Sequence, residues 1–329
     1  MRATFRDHTP GEGAMPLPLE PGGVRYPGLW IGTWSMGGEG FGPHDLSESL
    51  STLRAAFDAG IRHFDTAGFY AQGRSEELLR KAFSAVRGQV FLSSKGGLKR
   101  RGRRVWHDAR PRSLRQALHE TLRRLGTDYL DLFQLHWPDP DVPIDESLDA
   151  LRQMRSEGLI RFWGAGNLSA EQVLEHIRPG ERIPHQVHFN PIHKGGLAIM
   201  QAGREGDRCI NCVISPFEQG LLVNPRYLTA RLGKKDVRRR NPYFHDMGLK
   251  SRLWDFHQEC ARAGVSPVAA VMAWIMAYKE TDIVVAGARR PGHIGQVVRA
   301  LDGEPVPLSM LLSRASSQGS LLALLLSIF

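Results

Sequence analysis

Cysteine is scarce in this chain of 329 residues, which contains only Cys209, Cys212 and Cys260. An odd and sparse count in a long chain argues against a disulfide framework and favours a reducing compartment. Cys209 and Cys212 form one C-x-x-C pair, but no second Cys or His pair stands at a spacing that would complete four zinc ligands. We therefore interpret the pair as two small residues near a strand and expect no metal site.

Long apolar runs are also absent from the sequence. The longest candidate, residues 321–329, is far shorter than the roughly 20 residues that a membrane-spanning helix needs. Arg2 and Arg6 are not followed by the apolar segment of a secretory signal. These absences predict a cytoplasmic protein that does not enter a membrane.

Acidic residues are outnumbered by basic ones, and the formal net charge is +9. Basic residues cluster at 99–104 and at 234–240, without interleaved aromatic residues or a known nucleic-acid-binding motif. We interpret both runs as solvated loops around a site for an anionic ligand. A basic nucleic-acid-binding protein is an alternative that rests on charge alone, and we expect no nucleic-acid partner.

The pattern of hydrophobicity predicts a single α/β domain. Residues 1–28 are rich in Pro and Gly and lack periodicity, so we interpret them as a flexible tail, and 306–329 form a divergent C-terminal tail. Between them, at 29–305, short apolar runs alternate with amphipathic helical stretches, which is typical of a parallel sheet. We predict eight strands, at residues 29–34, 62–65, 90–94, 129–136, 160–165, 185–189, 212–215 and 283–286.

Eight strand–helix units in about 270 residues match a closed (β/α)8 TIM barrel. An open, doubly wound sheet is the alternative, but it would need G-x-G-x-x-G after the first strand. The glycines from Gly37 to Gly42 do not fit that spacing, and a flexible loop explains them better. A long basic segment, residues 220–249, interrupts the pattern after the seventh strand and is expected to be functional or mobile.

Several helix ends are marked by local signals. Pro111 and Gly126 bracket a helix whose apolar residues recur at helical spacing. Ser169 and Gln172 fit a capping box, and Asp145 can cap the helix that Gly158 ends.

Polar residues close the predicted strands. Active sites of such barrels lie at the carboxyl ends of the strands, so these side chains should converge on one mouth. They are Asp65, Lys95, His136, Asn167, Gln186 and Ser215, with Tyr70 just after the second strand.

This set suits the reduction of a carbonyl group. Tyrosine is neutral at pH 7 and can donate a proton if a nearby lysine stabilises its anion and an aspartate fixes the lysine. A histidine can orient the carbonyl oxygen, while the hydride must come from a cofactor. His185, His188 and His193 suggest a metal site at first sight. Positions three apart on a strand face opposite sides, however, so His185 and His188 cannot share an ion there.

The sequence resembles the aldo-keto reductase family from about residue 29 to residue 301. The signature around the family's catalytic aspartate and tyrosine is similar to GIRHFDTAGFYAQGRSEELLRKAF (60–83). The segments with the catalytic lysine and histidine are similar to FLSSKGG (91–97) and LGTDYLDLFQLHWPDP (125–140). The remaining family motifs resemble GLIRFWGAGNLSAEQV (158–173), HQVHFNPI (185–192), ISPFEQGLL (214–222) and VAGARRPGHI (285–294).

The resemblance implies a catalytic tetrad of Asp65, Tyr70, Lys95 and His136. Tyr70 would be the general acid, with Lys95 and Asp65 lowering its pKa, and His136 would orient the carbonyl. It also implies NADPH or NADP+ as cofactor. In this resemblance, Asn167 and Gln186 would bind the carboxamide of the nicotinamide, and Ser215 and Leu221 the pyrophosphate. Arg289, together with Arg290, would bind the 2′-phosphate. Further cofactor contacts would come from Thr33, Trp34, Pro216, Gly287 and His293.

The sequence also departs from the family pattern. Gly166 stands where the family often has Ser, and Ile214 where it often has an aromatic residue that stacks on the nicotinamide. Val297 replaces an asparagine near the adenine, and Ala286 replaces a proline. These changes concern cofactor affinity more than the chemistry.

We therefore expect NADPH-dependent reduction of an aldehyde or ketone to an alcohol by hydride transfer. A cofactor-binding regulatory subunit of the same fold, with little turnover, is the alternative. The carbonyl substrate is not specified by the sequence, and no signal indicates an oligomer. Aromatic residues near the predicted mouth either line an apolar substrate pocket or serve as ordinary packing; they are Phe41, Phe69, Trp106 and Trp137.

Overall fold

The barrel is closed by eight parallel strands, as the sequence predicts. The computed structural model describes residues 25–26, 28–42, 45–102 and 104–303. The barrel strands within them are β1 (Leu29–Gly32), β2 (His63–Asp65), β3 (Phe91–Gly96), β6 (Leu130–Leu135), β7 (Ile160–Gly166), β8 (Ile183–His188), β9 (Cys209–Ile214) and β10 (Ile283–Gly287). These strands follow one another around the barrel in the order β1-β10-β9-β8-β7-β6-β3-β2, with β1 pairing with both β10 and β2. This closure excludes the open, doubly wound sheet.

Helices surround the barrel and bury their apolar faces against the outside of the sheet. Shorter 3-10 turns occur at Trp34–Met36, Tyr70–Gly73, Ser84–Gln89, Glu205–Asp207, Glu218–Gly220, Val237–Arg240 and Pro242–Phe244. The α-helices are α1 (Leu46–Asp58), α2 (Arg74–Phe83), α3 (Pro111–Leu125), α4 (Ile144–Ser156), α5 (Ala170–His176), α6 (Gly196–Arg204), α7 (Arg226–Thr229), α8 (Met247–Ala263), α9 (Pro267–Met276) and α10 (Pro291–Leu301).

Three of the predicted helix boundaries are confirmed and one is corrected. Pro111 opens α3, and Gly126 ends it with a left-handed φ of 68°. Ser169 and Gln172 form the capping box of α5. Asp145 does not cap α4, because that helix already begins at Ile144. The Asp145 carboxylate lies in the first turn, where its negative charge interacts favourably with the helix dipole.

The two basic runs are more ordered than the solvated loops that the sequence predicts. In the first run, β4 (Leu98–Arg101) and β5 (Arg104–His107) pair as an antiparallel hairpin. Ion pairs hold its first strand, since Lys99 lies 3.0 Å from Asp108 and Arg100 lies 2.5 Å from Glu39. In the long segment after β9, residues 237–240 form a 3-10 turn that Asp236 caps.

The side chains inside the barrel change from apolar to polar along the strands. Trp30, His63 and Phe91 lie side by side in register at the lower end of the barrel, opposite the mouth. Trp30 and Phe91 belong to an apolar cluster separate from the main core. Two residues further along the same strands stand Asp65 and Ser93, at the mouth end. Because alternate strand residues share a face, each strand delivers one side chain to the packed bottom and one to the mouth.

All three cysteines are buried and unpaired, and Cys209 and Cys212 both lie in β9, as the sequence interpretation expects. Burial raises the pKa of Cys209 to about 12. None of the helices in the described part of the chain is long and apolar enough to span a bilayer.

The predicted tails, 1–28 and 306–329, lie outside the described residues except for 25, 26 and 28. Tyr26 is buried, and its hydroxyl donates to Asp302 at 2.6 Å, so this part of the predicted N-terminal tail packs at the end of α10.

Candidate active site

A buried ion pair lies where β2 and β3 end. Lys95 Nζ donates to Asp65 Oδ1 at 2.5 Å and to the Thr66 carbonyl at 2.9 Å. The other carboxylate oxygen accepts from Ser93 at 3.1 Å and from Gln186 at 2.7 Å. Burial acts to lower the pKa of Lys95, but Asp65 and Tyr70 together outweigh it and the pKa is raised, so the ammonium stays charged.

Tyr70 lies beside this pair because the chain turns sharply after β2. Ala71 and Gln72 adopt left-handed conformations with φ of 49° and 58°, and the turn leaves the Tyr70 ring 5.2 Å from Lys95 Nζ. Burial raises the pKa of Tyr70, and Lys95 opposes that rise. Asp65 raises the pKa rather than lowering it as the family resemblance implies, so the phenol carries its proton at neutral pH.

His136 completes the group from the end of β6. Its ring centroid lies 5.8 Å from that of Tyr70, with the two rings nearly perpendicular. Burial first, and then the charge of Lys95, hold the pKa of His136 well below 6.5, so the imidazole is neutral. Its Nδ1 atom has no hydrogen-bond partner among the described residues. Asn167 Nδ2 donates to the His136 carbonyl at 2.9 Å and fixes the chain there.

These residues border a cavity of about 1090 Å³ at the mouth of the barrel. Asp65, Tyr70 and His136 line it, while Lys95 lies behind Asp65. Four aromatic residues were considered for an apolar pocket. Phe41, Phe69 and Trp137 line the cavity, and Trp106 does not. The residues expected to bind the cofactor that also line it are Trp34, Asn167, Gln186, Ser215, Pro216, Gly287, Arg289 and His293.

Three residues expected to bind the cofactor do not line the cavity. Thr33 is fully buried, and its hydroxyl lies 2.7 Å from that of Ser75. Leu221 belongs to the hydrophobic core. Arg290 is directed to the surface, where its Nε lies 3.3 Å from the Glu48 carboxylate.

Arg238 lines the same cavity and was not singled out in the sequence. Its guanidinium binds Asp236 through two contacts, at 2.9 and 2.6 Å, and lies 4.4 Å from the centroid of the Tyr227 ring. The sequence contains one weak signal for Arg238. Asp236, two residues before it in the basic run 234–240, could neutralise an arginine and allow it to be buried. Arg289 is close enough for Arg238 to help lower its pKa, although burial has the larger effect.

Two of the four departures from the family pattern lie at this cavity. Ile214 and Val297 both line it. A Cβ atom at Gly166 would come within 3.3 Å of the His136 carbonyl oxygen, so a larger residue there requires a small shift of its neighbours. Ala286 is buried in the core.

The histidines after β7 do not form a metal site. His185 is buried and accepts from the Leu168 amide at 3.2 Å, whereas His188 stacks on His193 with ring centroids 3.9 Å apart at the cavity. Among the described residues, no group of three or more His, Cys, Asp or Glu side chains could hold a metal ion.

A model of the aldo/keto reductase family matches residues 28–308. The chain belongs to the aldo/keto reductase family. It is 30% identical over 280 residues to aldo-keto reductase YhdN of Bacillus subtilis (strain 168), covering 83% of this chain and 84% of that relative. It is 28% identical over 307 residues to the NADH-specific methylglyoxal reductase of Escherichia coli (strain K12), covering 87% of this chain and 93% of that one.

A solved structure of an aldo-keto reductase from Klebsiella pneumoniae in complex with NADPH superposes with a TM-score of 0.65. The two sequences are 25% identical, and the match covers 88% of this chain and 91% of that chain. The closed barrel of eight parallel strands therefore matches the fold of a family of oxidoreductases.

Proposed function

We propose that this aldo/keto reductase uses NADPH to reduce an aldehyde or ketone to an alcohol. The observation that carries the proposal is the position of Tyr70, which lies between a charged Lys95 and a neutral His136 in a large cavity. Groups separated by up to 66 residues in the sequence thus meet at one point, and each is of the type that carbonyl reduction requires.

The cavity suits a dinucleotide in size and charge. Its volume of about 1090 Å³ slightly exceeds the range of about 300–1000 Å³ that holds drug-sized ligands. Arg238, Arg289 and His293 line it and can hold phosphate groups, while Asn167 offers an amide to the carboxamide. When bound, the cofactor supplies the hydride.

The choice of NADPH over NADH rests on Arg289. One relative is named as NADH-specific, whereas the Klebsiella pneumoniae relative was solved with NADPH. A guanidinium at the cavity wall favours the cofactor with the additional phosphate, because it can form charge-assisted hydrogen bonds with it.

The chain's own residues provide the proton and orient the substrate. Neutral His136 hydrogen-bonds the carbonyl oxygen and holds it beside the Tyr70 hydroxyl. As negative charge develops on that oxygen, Tyr70 gives up its proton. The phenolate that results is stabilised by Lys95, whose charge Asp65 maintains.

A cytoplasmic location fits the three cysteines, which are all unpaired.

The decisive experiment compares the wild-type protein with Tyr70→Phe. NADPH oxidation across a panel of aldehydes and ketones should be abolished by the substitution, a loss of at least about 10²-fold, because the proton donor is gone. NADPH binding, measured by fluorescence, should remain within about twofold, since the ring is retained. Equal turnover by both proteins would overturn the role of Tyr70. Wild-type binding without turnover would favour the regulatory subunit.

A further inference from the structure

Glu218 is a buried carboxylate in a turn whose other residues line the cavity, and it lies outside the group that performs the chemistry. Only 1% of its surface is exposed. Asn190 and Asn241 donate to it at 2.8 and 2.6 Å, and His188 Nε2 lies 2.9 Å from it. Burial acts to raise the pKa of Glu218, but these partners outweigh it and the pKa is lowered, so the group is an anion.

The carboxylate belongs to a turn with an unfavourable backbone conformation. Ser215, Glu218 and Gln219 have φ of 53°, 44° and 55°, in the left-handed region that non-glycine residues avoid. Such conformations cost on the order of 1–3 kcal/mol each and persist only where surrounding contacts hold them. Ser215, Pro216, Gln219 and Gly220 of this turn line the cavity.

The contacts of Glu218 hold the turn from two sides. Asn190, which follows β8, donates both to Glu218 and to the Ser215 carbonyl, at 3.0 Å. Asn241 belongs to the long segment after β9. Glu218 therefore joins the turn to the end of β8 and to a segment that begins after the turn.

We infer that Glu218 is a positioning residue for the cofactor: it fixes the turn at 215–220 in the shape that binds the diphosphate of the dinucleotide. The inference rests on the proposed function. The turn lines the same cavity as Arg289 and His293, which can hold the phosphate groups of a dinucleotide. The negative charge of Glu218 faces its three partners, so Glu218 acts through the shape of the turn and does not itself contact the phosphate.

The test measures the Kd of NADPH by fluorescence titration in Glu218→Gln and Asn241→Ala. Each variant should raise Kd by roughly tenfold, since each loses a hydrogen bond to a charged group. The kcat at saturating NADPH should stay within about threefold, because Tyr70, Lys95 and His136 are unaffected. The double variant should bind about as weakly as Glu218→Gln alone, since both changes break the same contact.

Asp131→Asn is the matched control for a purely structural effect. Asp131 is also a buried barrel carboxylate and accepts from the Leu92 amide at 2.9 Å, but it lies near the start of β6, away from the mouth. Its substitution should lower Tm and leave the Kd of NADPH unchanged.

Two results separate this inference from the proposed function. Unchanged Kd values in both Glu218→Gln and Asn241→Ala would overturn the positioning role while leaving the reductase intact. Wild-type NADPH binding without carbonyl turnover would remove only the proposed reaction. A wild-type protein that binds no NADPH would overturn both.

Discussion

The lower and upper layers of the barrel interior are built on the same strands and have opposite characters. In the lower layer, His63 stacks on Trp30 with ring centroids 5.6 Å apart, and neither of its ring nitrogens has a hydrogen-bond partner among the described residues. In the upper layer, two residues further along β2, each oxygen of Asp65 accepts at least one hydrogen bond.

This difference separates packing from chemistry within one sheet. Burial lowers the pKa of His63 to about 3, so the lower layer keeps an ionisable group neutral and uses it as a flat ring. The upper layer instead holds Lys95 and Asp65 as an ion pair, although buried ion pairs often contribute no net stability. Charges that do not stabilise the fold are expected to serve the reaction, and substitutions in the two layers should therefore have different effects.

Lys95→Met should have the largest effect in the upper layer. Without the ammonium, the Tyr70 anion is no longer stabilised, and kcat should fall by roughly 10²- to 10⁴-fold. The free energy of unfolding should also fall, by about 3–5 kcal/mol, because Asp65 is left as an unpaired buried charge. Steady-state kinetics and chemical denaturation measure the two losses.

The double variant Asp65→Asn/Lys95→Met sharpens this test. Removing both charges should recover most of the lost unfolding free energy and none of the activity. If activity returned together with stability, the ion pair would have a structural role only, and the contrast between the layers would fail.

Much of this arrangement was predictable from the sequence. Alternating apolar runs and helical stretches predicted all eight barrel strands, because burial on both faces of a parallel sheet leaves a clear pattern. Polar residues directly after those runs, such as Asp65 and His136, were predicted to converge, and Tyr70 joins them at the cavity.

Other features depend on tertiary contacts that leave no periodic signal. The hairpin of β4 and β5 carries basic residues that form ion pairs with Glu39 and Asp108. Arg238 is buried only because Asp236 and Tyr227 surround it. Two adjacent arginines, Arg289 and Arg290, were expected to act together, but Arg290 begins the turn into α10 and points away from the cavity.

Arg289 and Arg290 provide the second test, at the outer edge of the upper layer of the barrel. Arg289→Ala should raise the Kd of NADPH by roughly 10- to 100-fold, since a charge-assisted contact with phosphate is lost, and should change the Kd of NADH by less than about threefold. Arg290→Ala is the matched control and should leave both values nearly unchanged, because its partner is Glu48 at the surface. Equal losses for both cofactors in Arg289→Ala would remove the 2′-phosphate role.

The smallest expected effect is in the lower layer, where His63→Phe should alter pH-dependent stability and not activity. His63 has a folded-state pKa of about 3 and an unfolded value near 6.5. Below pH 6.5 the unfolded chain therefore binds a proton that the folded chain does not, and stability falls as the pH falls. Between pH 7 and pH 5 this group accounts for a loss of roughly 2 kcal/mol, which the variant should not show.

Trp30→Phe is the control for His63→Phe, because it changes packing in the same layer without changing titration. It should lower the free energy of unfolding by a similar amount at pH 7 and at pH 5, whereas His63→Phe should reduce the difference between the two pH values. At pH 7, His63→Phe should be at least as stable as the wild-type protein, since two unpartnered ring nitrogens are removed from an apolar cluster. An unchanged pH dependence, or a loss of carbonyl turnover, would mean that the lower layer is not the inert support that its contacts with Trp30 and Phe91 indicate.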